Sequence, residues 1–178
     1  MTLPEVTLLY TGSVDGRIAQ LNGQTPFSDA SWEYYQERAQ ACGHLIMGRR
    51  TAELFCADDS FSSRPFKSLM VLSRSQGGAL DPRCTVSRSV AELRARLEQL
   101  QCAEVILIGG AETAAALRAA RMISRLEVVV EPVLIGSGVP LFAPPAELTR
   151  MRLQSLARPR LEFFVAAYVL EYGESPAP

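Results

Sequence analysis

Apolar residues along the chain fall into short blocks with two alternating rhythms. "EVTLLY", residues 5–10, is a run of β-branched and aliphatic side chains ending at the turn signal "TGSVDG", which predicts a buried strand leading into a loop. "DASWEYYQERAQA", Asp29 to Ala41, has helical composition, and Ser28 or Asp29 is suited to cap its first turn because a short side-chain oxygen accepts a free N–H there. "HLIMG" and "SLMVLS" (Ser68 to Ser73) predict two further strands, and Val90, Leu93, Leu97 and Leu100 recur at helical spacing along one face. "AEVILIGG" predicts another buried strand, followed by a helix from about Ala111 to Ile123. "RLEVVVEPVLIG" and "RLEFFVAAYVLEY" read as two long closing strands, and "GESPAP" as a frayed tail. Alternating strands and helices with a terminal pair of strands predict an α/β fold: a mixed, mainly parallel sheet with helices on its faces.

Composition narrows the partners more than the fold. The 178 residues suit one domain spanning 1–178, and 48% hydrophobic against 21% charged residues is ordinary globular usage. Eighteen basic and 19 acidic residues nearly cancel, with no basic stripe, so a small molecule is expected rather than nucleic acid. "MTLPEVTLLYTGS" has neither a charged start nor a long apolar region, so no signal peptide or membrane span is expected and the protein is read as cytoplasmic. Cys42, Cys56, Cys84 and Cys102 form no C-x-x-C pair, and the single histidine, His44, has no ligand partner at metal-site spacing. Reduced thiols and no metal are expected, with His44 as a strand-end residue.

Candidate chemistry lies where apolar blocks give way to glycine. "GGAET", Gly109 to Thr113, stands between a strand and a helix, where glycine allows close backbone approach and free first-turn N–H groups attract an anion. Glu112 and Thr113 would line that turn; a tight turn without a ligand is the competing reading. "MGRRTAEL" repeats the arrangement with Gly48, Arg49, Arg50 and Thr51, groups suited to phosphate, against the alternative of a solvated helix start. "VLSRS" ends a strand with Ser73 and Arg74, a phosphate contact or simply a polar strand end. Three such strand ends suit one extended phosphate-bearing cofactor.

In order and separation, "MGRRTAEL", "VLSRS" and "LIGGAET" resemble the dihydrofolate reductase superfamily, in which these segments bind NADPH. The resemblance implies a dihydrofolate-reductase-like fold. It places Gly48, Arg49, Arg50 and Thr51 at the cofactor phosphates, Ser73 and Arg74 at the adenosine 2′-phosphate, and Gly109, Gly110, Ala111, Glu112 and Thr113 at the pyrophosphate. "TGSVDGRIA" and "VVVEPVLIGSGVPLF" further resemble the opening and ending of the reductase domain of riboflavin biosynthesis and its stand-alone relatives. That branch implies hydride transfer from NADPH to a ribosylamino-pyrimidine or related small heterocycle.

The substrate-side expectations follow from the same branch. Asp15 is the candidate catalytic carboxylate, orienting substrate or helping to deliver a proton, though Asp-Gly is also a common turn pair. Ser13, Ser31 and Trp32 are candidate substrate contacts, with Trp32 alternatively a core anchor. "CADDSFSSR" resembles a motif of the branch and nominates Asp58 and Arg64. Two departures stand out. Ile108 occupies the place before the glycine pair where those reductases carry a substrate-contacting glutamate. Trp32, flanked by Glu33 and with Asp29 a turn earlier, occupies the place of the acidic residue that dihydrofolate reductases use for the pterin. A pterin or dihydrofolate reductase, and a non-catalytic nucleotide-binding module of the same fold, are the alternatives. The apolar "FFVAAYVL" suits either a homodimer interface or a core strand.

Overall fold

Strands that are buried on both faces need no polar alternation, which is why the apolar blocks of this chain are nearly continuous. A computed structural model describes residues 3–75, 80–142 and 148–173, with the backbone alone at Ser60. The first block forms β1 (Glu5–Ser13), and the turn after it leads into the short β2 (Arg17–Gln20). Helix α1 (Asp29–Cys42) precedes β3 (His44–Gly48), from which α2 (Arg49–Ala57) starts directly. A single turn, α3 (Asp59–Ser62), is followed by β4 (Ser68–Leu72), β5 (Cys84–Ser87) and α4 (Val90–Gln99). Then come β6 (Glu104–Leu107), α5 (Ala111–Ala119), β7 (Arg125–Glu131), β8 (Gly138–Pro140), β9 (Arg150–Ala157) and β10 (Phe164–Glu171).

The strands assemble into an eight-stranded sheet of order β5-β4-β3-β6-β1-β7-β10-β9, with β2 and β8 as a separate pair. From β5 to β7 every pairing is parallel. β10 then runs antiparallel to both β7 and β9. This is the mixed, mainly parallel α/β sheet that the alternation predicts.

Successive residues of β1 serve opposite faces. Leu8 packs with Ile46, Leu93, Leu97, Leu107 and Leu117 beneath α4 and α5, whereas Leu9 packs with Tyr35, Leu45, Met47, Phe55 and Phe61 beneath α1 and α2. The helical face read from Val90, Leu93, Leu97 and Leu100 is the buried face of α4, with Leu93 and Leu97 fully enclosed. The consequence for function is directional: β1, β3, β4, β6 and β7 all end at one edge of the sheet.

Several elements differ from the sequence reading. α5 stops at Ala119, before Ile123, because the chain turns at Arg121 with a positive φ of 54°. β7 ends at Glu131, before Pro132, which has no N–H to continue a ladder. β9 has no counterpart in the expected elements: all its residues are exposed, and "RMRLQSLA" lacks an apolar block. β10 lies between β7 and β9, so "FFVAAYVL" is a core strand in which Phe163, Val165 and Ala166 are buried. Exposed apolar side chains lie at Phe164, the first residue of β10, and on β9 at Met151, Leu153 and Leu156. Most of "GESPAP" lies outside the described residues. His44 opens β3, at the end away from the glycine turns, with Nδ1 3.0 Å from the Ser68 hydroxyl. Burial and Lys67 push its pKa down.

Candidate active site

Two strand-to-helix turns interlock at the centre of this edge. The Gly48 N–H donates to the Gly109 carbonyl at 3.2 Å. A Cβ added at Gly48 would lie 2.5 Å from Thr113 Oγ1, and one at Gly110 would lie 3.2 Å from the same atom. Gly109 and Gly110 hold φ of +140° and +88°, values that side-chain-bearing residues rarely adopt. Backbone from two neighbouring strands is thereby brought closer than any other residue type permits.

Both helices that leave these turns start without a side-chain cap. α2 follows Gly48 and α5 follows Gly110, and neither glycine can satisfy the first-turn N–H groups. By contrast, the Ser28 hydroxyl accepts from Ser31 N at 3.2 Å in α1, and the Ser89 hydroxyl accepts from Glu92 N at 3.1 Å in α4. Two adjacent helix starts therefore present unpaired donors and the positive ends of their dipoles to the same place.

Cations surround that place. Arg49 pairs with Glu53 at 2.8 Å and donates to the Ser75 hydroxyl, which draws the start of α2 to the loop after β4. In that loop Ser73 is buried and its hydroxyl donates to the Ser75 carbonyl at 3.1 Å, while Arg74 is exposed. Arg50 and Glu112 are exposed, and Thr113 is buried between the two turns. Arg88, absent from the sequence reading, donates to the Arg74 carbonyl at 3.5 Å. An unremarkable "SRS" gave no signal for it; only the parallel pairing of β4 with β5 brings it here.

The other half of the edge is formed by β1, β7 and the start of α1. Ser13 donates to Asp15 Oδ1 at 2.6 Å, and Asp15 also accepts the N–H groups of Ile135 at 3.1 Å and Gly136 at 2.7 Å. The Ser13 hydroxyl, followed by these amides, holds the exposed Asp15 carboxyl down at about 2. These links tie the loop after β1 to the loop after β7.

Ser31 is fully buried and donates to the Ser28 carbonyl at 3.0 Å. Trp32 is 41% exposed. Its ring stacks on Tyr35 with centroids 5.4 Å apart and meets the edge of Phe61 at 5.6 Å, so it is a supported surface aromatic rather than a core anchor. Tyr35, pushed up in pKa by burial, donates to the Ile108 carbonyl at 2.5 Å just before the glycine pair.

Asp58 and Arg64 flank α3. Asp58 Oδ1 accepts from Phe61 N at 3.3 Å at the start of α3, and Arg64 donates to Gln36 at 2.9 Å and Gln40 at 2.5 Å on α1. Their link to the edge runs through Phe61 and Trp32.

A second residue that sequence reasoning missed is Glu131. It ends β7 opposite Ser13 of β1, is 4% exposed, and accepts from the Ser28 N–H at 2.9 Å and the Ser28 hydroxyl at 2.5 Å. A charged residue closing the apolar run "VVVEP" was the available signal. Among the described residues no group of three or more His, Cys, Asp or Glu side chains is placed to hold a metal ion. No helix among them is long and apolar enough to cross a membrane.

This sheet order, with glycine turns at the ends of β3 and β6, defines a dihydrofolate-reductase-like domain. A dihydrofolate reductase from Enterococcus faecalis, solved as a complex with NADP(H) and RAB-propyl, shares the fold with a TM-score of 0.69 and 14% identity, covering 94% of this chain and 97% of that one. The diaminohydroxyphosphoribosylaminopyrimidine deaminase/5-amino-6-(5-phosphoribosylamino)uracil reductase of Thermotoga maritima is similar with a TM-score of 0.67 and 14% identity, over 94% of this chain and 56% of that one. Residues 4–159 match the RibD C-terminal domain, and the chain belongs to that family, which supports an oxidoreductase of this reductase type. The uncharacterized protein YwjB of Bacillus subtilis (strain 168) is 28% identical over 154 residues, covering 83% of this chain and 88% of that protein.

Proposed function

We propose that the protein is an NADPH-dependent reductase acting in the cytoplasm on a ribosylamino-pyrimidine or a related small heterocycle. The observation that carries this reading is the pair of interlocked, uncapped helix starts at Gly48 and Gly110, a cradle that a Cβ would fill. Membership in the RibD C-terminal domain family supports the reductase class. The NADP(H) complex of the similarly folded dihydrofolate reductase supports the cofactor, and the reductase named in the Thermotoga protein supports a pyrimidine as the ring class, whatever its 2-substituent.

Gly48 to Thr51 and Gly109 to Thr113 would hold the cofactor's phosphates through backbone N–H groups, with Ser73, Arg74 and Arg49 around the 2′-phosphate. Bound NADPH supplies the hydride. The chain itself contributes position: Trp32 offers an aromatic face to a planar substrate, and the Ser13–Asp15–Gly136 links hold the adjoining loops in register. A pterin substrate is the less favoured reading, because Asp29 is exposed and Glu33 points to Arg160 at 3.9 Å rather than inward. Pairing of two copies along the exposed apolar side chains of β9 is part of the proposal, checked by light scattering coupled to size-exclusion chromatography.

Fluorescence titration with NADPH and with NADH, repeated on Arg74→Ala, tests the cofactor reading. Saturable NADPH binding that weakens on substitution supports it, and absence of saturable binding by either nucleotide overturns it. NADPH turnover with ribosylamino-pyrimidine and pterin candidates then separates the two substrate readings.

A further inference from the structure

The polar groups at the substrate half of the edge largely satisfy one another. The Ser13 hydroxyl is committed to Asp15 and to the Arg17 N–H, and both Asp15 oxygens accept backbone amides. The Ser31 hydroxyl is committed to Ser28, and the Ser28 hydroxyl to Glu131 and the Ser31 N–H. Glu131 is different. Both donors from Ser28 reach the same oxygen, Oε1, and Oε2 meets no donor among the described residues. Oε2, on a residue only 4% exposed, is not among the atoms of the described residues that are wholly sealed from solvent, so it keeps a narrow opening to the surface. A carboxylate so far removed from water is costly to leave without a donor.

We propose that Glu131 is a specificity-determining residue whose Oε2 accepts an N–H from an exocyclic amino group of the substrate, selecting heterocycles that present that donor over those that present a carbonyl there. The heterocyclic class of the ligand rests on the reductase reading above. The assignment of the acceptor rests on the geometry of Glu131 alone. A pyrimidine carrying a 2-amino group is favoured over its 2-oxo counterpart, since an acceptor facing a carbonyl oxygen leaves both without a donor.

Glu131→Gln gives a direct test, because the amide oxygen stays with the two Ser28 donors and the NH₂ takes the place of Oε2. The acceptor becomes a donor while the start of α1 keeps its contacts. NMR titrations of wild type and variant with isocytosine (2-amino) and uracil (2-oxo), with and without NADPH, read the preference. The expected result is wild-type preference for isocytosine of about tenfold, lost or reversed in Glu131→Gln with NADPH affinity unchanged. An unchanged ratio in a folded variant, or wild-type protein that binds neither probe, overturns the inference and leaves Glu131 as a helix-start anchor. Isocytosine preference without any NADPH binding would sustain the Glu131 assignment and sink the reductase reading. Should Glu131→Gln not fold, Glu131→Asp, with the acceptor withdrawn by one methylene, is expected to weaken isocytosine binding and leave uracil binding unchanged, and unchanged isocytosine binding overturns the inference.

Discussion

α1 and α4 begin under serine hydroxyls, whereas α2 and α5 begin at bare glycine. All four follow loops or strands of one sheet, so the difference is not one of architecture. It lies in what completes the first turn. At α1 and α4 the chain supplies its own oxygen, and helix formation is self-sufficient. At α2 and α5 the donors are left for something else, and the glycines that prevent capping also prevent any side chain from filling the space. The contrast teaches that a helix start can serve stability or binding, and that the choice is made by one residue at the cap.

The sharpest way to break this contrast is to put a side chain into the cradle. Gly48→Ala places a Cβ 2.5 Å from Thr113 Oγ1, and overpacking of this kind costs about 1–3 kcal/mol. Thermal unfolding should fall by several degrees and NADPH binding should become undetectable by fluorescence titration. Next in size is Arg74→Ala, expected to weaken NADPH by about tenfold while leaving NADH unchanged, as loss of one charge-assisted phosphate contact predicts. Equal weakening of both nucleotides would remove the 2′-phosphate assignment.

On the capped side, Ser28→Ala removes the hydroxyl that accepts from Ser31 N and donates to Glu131. Chemical denaturation should show a loss of about 1 kcal/mol, the usual value of an N-cap, with NADPH affinity preserved. The smallest effect concerns Asp15. Its carboxyl is lowered from 3.8 to about 2, so the stabilisation it provides is complete above its ordinary value and is lost as pH falls toward 2. Asp15→Asn should flatten that part of the acid-stability profile, measured by melting temperature against pH, and leave neutral-pH NADPH binding intact.

Much of the candidate site was legible as strand ends and turns because its parts are local. A glycine after an apolar run and before a helical pattern marks a strand-to-helix turn, and "MGRRT" and "GGAET" each carried that signal within a few residues, while "LSRS" showed only a polar strand end. Trp32 was legible as a candidate, but its exposure was not, since nothing in "SDASW" says that Tyr35 and Phe61 support one face and leave the other open. Asp15 was legible as a turn carboxylate. Its lowered pKa owes most to the nearby Ser13 hydroxyl and the rest to amides more than a hundred residues away, which no local pattern shows. β9 was hidden because an exposed edge strand has no face to bury and so leaves no apolar block.

The sequence by itself determined the alternation of elements, the parallel core strands and the glycine turns, because burial on both faces and positive φ restrict residue type at the position concerned. Tertiary structure alone decided what meets what. The order β4-β3-β6-β1-β7 sets the glycine turns side by side and puts Glu131 next to Ser13 and Ser28, contacts between residues about a hundred positions apart in the chain. Such contacts follow from how strands pair and helices cross, and no local pattern of residues encodes them.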